Sequence, residues 1–279
     1  MDSSNLLQRV VSGAILIVVS VGATLISQWG FCALLLLIVG GSAWELYRMS
    51  SARGCQPQVV MGIVASCVVL ALGVDGFYNG SQYNLPMSLF LIVLLPSIFI
   101  LEITRGEKSP MENIAITLLP LLYVAAPMAM LAGIPLLISG GEWSACVVIL
   151  YLFITWANDS FAYLIGVSFG RHKIAPSISP KKSWEGFVGG VAGAMGVAAL
   201  GAHLLGDNLT IWLPIALIIS IMGMLGDLVE STFKRSTGIK DSGDLIPGHG
   251  GILDRFDALI LSAPFVFVYL LIIELLKIR

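Results

Sequence analysis

Hydrophobic residues in this chain fall in long, unbroken runs and do not alternate with polar ones. Nine runs stand near residues 10–27, 31–47, 58–74, 86–103, 112–133, 143–168, 186–206, 210–233 and 257–276. A membrane-spanning helix needs about 20 consecutive apolar residues, whereas strands of a membrane barrel would alternate apolar and polar positions. The pattern therefore predicts an all-α polytopic membrane protein of about nine transmembrane helices. Pro96, Pro120, Pro127 and Pro214 lie inside the runs. Neighbouring helices can satisfy the backbone groups that a proline frees, so these positions predict kinks and not breaks. The first run has the length of a signal peptide. A second follows from Phe31 almost at once, which predicts an uncleaved first helix.

Composition narrows the class. Of 279 residues, 57% are hydrophobic and only 11% charged, against about 25% charged in a soluble domain. A soluble enzyme and a disordered tail are excluded, because a surface facing water needs more polar residues than this. The formal net charge of −2 carries no basic footprint for nucleic acid. Cys32, Cys55, Cys67 and Cys146 are far apart and form no C-x-x-C pair, so neither a disulfide framework nor a zinc site is predicted.

Loop charges predict the orientation. With nine helices, Arg9, Arg48, Arg53, Arg105, Lys108, Arg171, Lys173, Lys181, Lys182, Lys234, Arg235, Lys240 and Arg255 all fall on the side of the N-terminus. The other side receives only Lys277 and Arg279, after the last helix. Such an excess of basic residues marks the cytoplasmic side, so the N-terminus is expected in the cytoplasm. Two loops on that side are unusual: GRHKIAPSISPKKSWEG at 170–186 and KRSTGIKDSGDLIPGHGGILDRFD at 234–257. Both belong to the second half. The chain is accordingly divided into a mainly structural part, 1–141, and a part holding the site, 142–279.

In GDLVESTFKR at 226–235, a helix would place Asp227, Glu230, Ser231 and Lys234 on one face. Two carboxylates at the end of an apolar helix need a cation, water or an ion pair. Both a structural pair with Lys234 or Arg235 and a cation or substrate site satisfy that need. In the loop that follows, Asp241, Asp244, Asp254 and Asp257 mix with Lys240, His249 and Arg255 and with Gly243, Gly248, Gly250 and Gly251. Carboxylates suit magnesium, glycines let backbone N–H groups approach phosphate, and arginine grips phosphate through two hydrogen bonds. That composition suits a metal–polyphosphate complex, although a solvated loop could hold the same residues.

Ser179 and Pro180 read as the N-cap and first position of the seventh helix, which would put Lys181 and Lys182 in its first turn. Cations are disfavoured there unless an anion is bound; the same lysines also fit simple loop topology. Asn158 and Asp159 lie late in the sixth run, where the aspartate needs a partner such as Lys173, Lys181 or a metal. Gly186, Gly190 and Ala194, beside Gly189 and Gly193, form a small-residue ridge for close helix packing, within the chain or across a dimer. His203 reads as a packing residue and His172 as a loop residue. Glu45 and Glu102 are expected to pair with Arg48 and Arg105.

Residues 231–257, STFKRSTGIKDSGDLIPGHGGILDRFD, resemble the signature of the phosphatidate cytidylyltransferase (CDP-diacylglycerol synthase) family. Its fixed positions are met by Ser231, Lys234, Arg235, Lys240, Asp241, His249, Gly250, Gly251, Asp254, Arg255 and Asp257. The SPKKSWEG stretch, the Asn158–Asp159 pair, the length and the helix count also resemble the family. The resemblance implies transfer of CMP from CTP to phosphatidate, giving CDP-diacylglycerol and pyrophosphate, by a homodimer in the bacterial inner membrane. It implies magnesium on Asp227 and Asp254, with potassium allowed to share the centre. Glu230, on the same helix face, is a third candidate metal ligand. Lys234, Arg235, Lys240, Asp241 and Arg255 join the two aspartates as catalytic candidates. Asp159, Lys173, Lys181, Lys182, Ser231, His249, Gly250, Gly251 and Asp257 are candidates for substrate binding. His249 is expected to contact phosphate and not to act as a base, because the attacking phosphate is already largely ionised near neutral pH.

A secondary transporter is the alternative reading, since it too keeps ionisable residues at membrane depth. Its site would be expected near the midplane, often with an internal repeat, whereas here the charges gather on one side and no repeat is visible. The D-G-x2-A-R-x8-G-x3-D-x3-D pattern of CDP-alcohol phosphotransferases is absent.

Overall fold

The computed structural model describes residues 3–239, 243 and 250–276, with side chains from Val10 onward and at Gln8. Among these residues there are nine helices: α1 (Ser3–Ile26), α2 (Gln28–Ser51), α3 (Val59–Tyr78), α4 (Asn84–Arg105), α5 (Pro110–Ile138), α6 (Ala145–Phe169), α7 (Trp184–Leu205), α8 (Leu209–Ser236) and α9 (Leu253–Leu275). A hairpin of β1 (Lys173–Ala175) and β2 (Ser179–Ser183) joins α6 to α7. Every predicted run is a helix. Eight of the nine are long and apolar enough to cross a membrane, and α1 contributes the shorter apolar stretch Val10–Ile26. Large apolar side chains such as Ile103, Met111 and Leu122 stand exposed on these helices, as a surface facing lipid requires. The chain is a multi-pass membrane protein.

The chain forms two compact units, Met1–Gly133 with Ser236–Phe256, and Ile134–Arg235 with Asp257–Arg279. The first break falls between Gly133 and Ile134, and the segment Ser236–Phe256 groups with the N-terminal helices.

In the first unit, Ala65, Leu94 and Leu121 centre an apolar cluster of α3, α4 and α5. Pro120 interrupts α5, as its position predicts, and Leu121–Ala125 are wound as a π-helix. The Leu121 N–H turns to Leu118 O. Just before this segment the Tyr47 hydroxyl donates to Thr117 O at 2.8 Å. A side chain at Gly62 would collide with that hydroxyl, so glycine there admits the tyrosine. Glu102, buried on α4, accepts from Arg105 at 2.8 Å, Asn113 at 2.7 Å and Gln58 at 2.9 Å. The expected Glu102–Arg105 pair is thus one arm of a buried network that ties the α2–α3 connection to α4 and α5.

In the second unit the small-residue ridge packs within the chain. A Cβ at Gly186 would lie 2.8 Å from Ala162 O, and one at Gly190 would lie 2.8 Å from Asn158 Oδ1. The ridge therefore lets α6 and α7 touch along their backbones, which explains its spacing. Residues 179–183 correct one expectation. They are a strand paired with β1, and Ser183, not Ser179, caps α7 by accepting from Gly186 N at 3.2 Å. Pairing with residues 173–175 holds Ser179–Ser183 extended, and the helix starts where Ser183 can close its first turn. Lys181 and Lys182 consequently precede the helix and do not sit in its first turn. His203 also differs from expectation, being exposed near the C-terminal end of α7.

Candidate active site

The polar end of α8 is built as the sequence predicts, with Asp227, Glu230, Ser231 and Lys234 on one face. Ser231 Oγ donates to Asp227 Oδ1 at 3.2 Å, and Lys234 Nζ lies 3.2 Å from Glu230 Oε2. Glu230 and Ser231 are buried, and the Lys234 side chain is 14% exposed. An ion pair in such surroundings is screened little by solvent.

Two further elements of the second unit supply charge to this face. The first is β2. Lys182 Nζ lies 2.7 Å from Asp227 Oδ2 and donates to Met224 O at 3.0 Å. The strand geometry found for residues 179–183 thus delivers a lysine to α8. The second is α9. Backbone contact at Gly226 is so close that a Cβ there would lie 2.6 Å from Asp257 O, and one at Gly223 would lie 3.2 Å from Ala258 Cβ. This approach brings the buried Asp257 carboxylate to Asp227 and Glu230, with one oxygen of each within 4.8 Å of the others. Asp159 and Lys182 also act electrostatically on Asp257. The result is a cluster of Asp159, Asp227, Glu230 and Asp257 with Lys182 and Lys234.

Several candidates therefore come together. Asp159 is exposed on α6, and Asn158 beside it is buried, donating to Asp159 Oδ1 at 3.4 Å. Asn158 Oδ1 is buried with no hydrogen-bond partner among the described residues. Lys173, Lys181 and Arg235 are exposed side chains on β1, β2 and the end of α8. Lys240, Asp241 and His249 lie outside the described residues.

Asp254 and Arg255 stand in the first unit, at the start of α9. Asp254 Oδ2 accepts from Gly251 N at 3.1 Å, and Gly250 takes a φ of +83°, where a side chain would be strained. A Cβ at Gly250 would also lie 2.8 Å from Asp254 Oδ2. Gly250 and Gly251 thus shape the turn around Asp254. Arg255 is exposed.

Sequence reasoning placed Asp257 with substrate binding, whereas the structure sets it beside Asp227 and Glu230. No spacing in the sequence announces that placement, which depends on the close approach of α9 to Gly226. Sequence reasoning also missed a role for Glu45 beyond pairing with Arg48. This buried glutamate accepts from Ile252 N and Leu253 N, both at 2.8 Å, and no local pattern in the sequence announces that contact.

The donor set fits a hard divalent cation. Three carboxylates lie within reach of one another, and hard oxygen ligands suit magnesium. The two lysines, paired with Asp227 and Glu230, balance part of the negative charge.

The profile of the cytidylyltransferase family matches residues 7–273. The chain is similar to the phosphatidate cytidylyltransferase of Bacillus subtilis (strain 168), with 30% identity over 275 residues, 94% of this chain and 97% of that one. It is 48% identical over 126 residues to the phosphatidate cytidylyltransferase of Staphylococcus aureus (strain COL), 44% of this chain and 48% of that one. With the phosphatidate cytidylyltransferase of Haemophilus influenzae (strain ATCC 51907 / DSM 11121 / KW20 / Rd) it shares 48% identity over 124 residues, 42% of this chain and 43% of that one. In these two matches the chain spans about half the length of the relative or less. Through the match that runs almost from end to end, the chain belongs to the cytidylyltransferase family.

Proposed function

We propose that the protein transfers CMP from CTP to phosphatidate, forming CDP-diacylglycerol and releasing pyrophosphate. The observation that carries this reading is the cluster of Asp159, Lys182, Asp227, Glu230, Lys234 and Asp257, in a membrane protein whose relatives are named for that reaction. Those names also favour it over a transporter.

An oxygen of the phosphatidate phosphate attacks the α-phosphorus of CTP and forms the new P–O bond. The bond from the α-phosphorus to the bridging oxygen breaks, and its electron pair leaves with pyrophosphate. Two polyanions must meet, so positioning and charge neutralisation carry the catalysis. Lys182 and Lys234 supply ammonium groups at the carboxylate cluster, and exposed Lys173, Lys181 and Arg235 can meet phosphate groups. Ser231 holds the Asp227 carboxylate through its hydroxyl. Asp227, Glu230 and Asp257 would hold magnesium, which when bound neutralises the triphosphate and stabilises the leaving group. The resemblance adds Asp254 to the metal carboxylates and allows potassium as a second cation. It also supports roles at the phosphates for Lys240, Asp241 and His249. A homodimer in the bacterial inner membrane, with the site toward the cytoplasm, completes the proposal.

Purified full-length protein in detergent is expected to release pyrophosphate from CTP only when phosphatidate is added. Release without the lipid, or none with both substrates and magnesium, would overturn the reading. Orientation has its own test. Single cysteines at Ser177 and Ser242, in a cysteine-free background, should resist impermeant reagents in intact cells and react after permeabilisation. Labelling of both in intact cells reverses the orientation.

A further inference from the structure

Glu45 lies on α2, 1% exposed, in an apolar helix where a buried carboxylate needs compensation. Its compensation comes from the other end of the chain. Oε1 accepts from Ile252 N and Oε2 from Leu253 N, each at 2.8 Å. These are backbone donors at the N-terminus of α9, which a helix cannot satisfy by itself. A local cap is usually Ser, Thr, Asp or Asn just before the helix, but this helix is preceded by Gly251 and Ile252. Glu45 replaces that cap from 207 positions away. Its negative charge also suits the positive end of the helix dipole.

The fit around this contact is close on both sides. A side chain at Gly41, one turn before Glu45, would collide with Ile252. A Cβ at Gly243 would lie 2.8 Å from Glu45 Oε1. So α2 holds residues 252 and 253 through Glu45, and the next two residues are Asp254 and Arg255. Asp254 in turn accepts from Gly251 N at 3.1 Å. The turn at 250–255 is thereby fixed from both sides.

We infer that Glu45 is a positioning residue for the proposed reaction: it caps α9 from α2 and so sets the placement of Asp254 and Arg255. The inference rests on the functional reading above for the importance of those two residues. Groups that orient metal ligands from behind commonly change affinity or activity by about 10–100-fold when removed.

Glu45→Gln keeps size but aims an amide N–H2 at one of the two backbone donors. Glu45→Asp keeps charge but shortens the reach, and serves if Glu45→Gln does not accumulate. Glu102→Gln, at a buried glutamate of the same unit that bonds elsewhere, is the control. Full-length proteins in detergent are compared by hydrogen exchange over 250–258 and by kcat and KM for CTP. The expected result for the Glu45 variants is exchange about 10-fold faster at 252 and 253, with unchanged exchange in the rest of α9. The kcat should fall about 10–100-fold, with a smaller change in KM. Glu102→Gln should lower thermal stability and leave both readouts alone. Unchanged exchange, or faster exchange with wild-type kcat, would overturn the inference. Wild-type turnover in Asp254→Asn would instead overturn the functional reading, while exchange at 252 and 253 still reports on Glu45 as the cap.

Discussion

Lys182 Nζ lies 2.7 Å from Asp227 Oδ2, linking the second strand of a short hairpin to the polar end of a long membrane helix. The same ammonium donates to Met224 O at 3.0 Å, so its position is set by two partners. A lysine held this way balances the Asp227 carboxylate.

Lys182→Met should lower pyrophosphate release by about 10²–10³-fold, the usual effect of removing one preorganised charge from a reacting group. Lys182→Arg should retain part of the activity, because the charge stays while the geometry changes. Wild-type turnover in Lys182→Met would make the pair purely structural.

Asp227→Asn and Asp257→Asn should each lower turnover by about 10²-fold or more, with normal membrane insertion. The double variant should be little worse than either alone, since groups acting as a unit are not additive. Asp75 is the contrast. It is buried and accepts from Tyr83 N at 2.8 Å and Asn79 Nδ2 at 3.2 Å. Asp75→Asn should therefore reduce the melting temperature, by a loss of about 1–3 kcal/mol, and leave kcat unchanged.

Gly190→Ala should destabilise the protein. Its Cβ would lie 2.8 Å from Asn158 Oδ1 and 2.9 Å from Asn158 O, and overpacking typically costs about 1–3 kcal/mol. On the same helix, Gly196 has open space around its Cβ position. Gly196→Ala should be neutral or stabilising by up to about 1 kcal/mol through helix propensity. Thermal unfolding of the two variants in one detergent compares them directly.

Tyr47→Phe tests the buried hydrogen bond from α2 to Thr117 O, beside the π-helical segment. Without the hydroxyl, Thr117 O is left buried without its 2.8 Å donor, at a cost of about 1–3 kcal/mol. The melting temperature should fall while turnover per folded molecule stays close to wild type. An unchanged melting temperature would show that another donor takes over.

The nine helices were legible because crossing a membrane is a local property: each span needs its own length of apolar residues. The face of Asp227, Glu230, Ser231 and Lys234 was legible too, because helical periodicity alone puts those positions together. The spacing of Gly186, Gly190 and Ala194 announced close packing, but only the fold chose α6 as the partner and left the ridge inside the chain. Tertiary structure alone decided that residues 179–183 pair as a strand, since the competing strand at 173–175 enters only when the chain turns back on itself. It also decided that Asp257 joins Asp227, because that depends on how closely α9 approaches Gly226. The contact of Glu45 with Ile252 and Leu253 lies furthest beyond a sequence reading. Hydrophobic period and capping patterns act over a few residues, whereas a carboxylate capping a helix from the other end of the chain leaves no local mark.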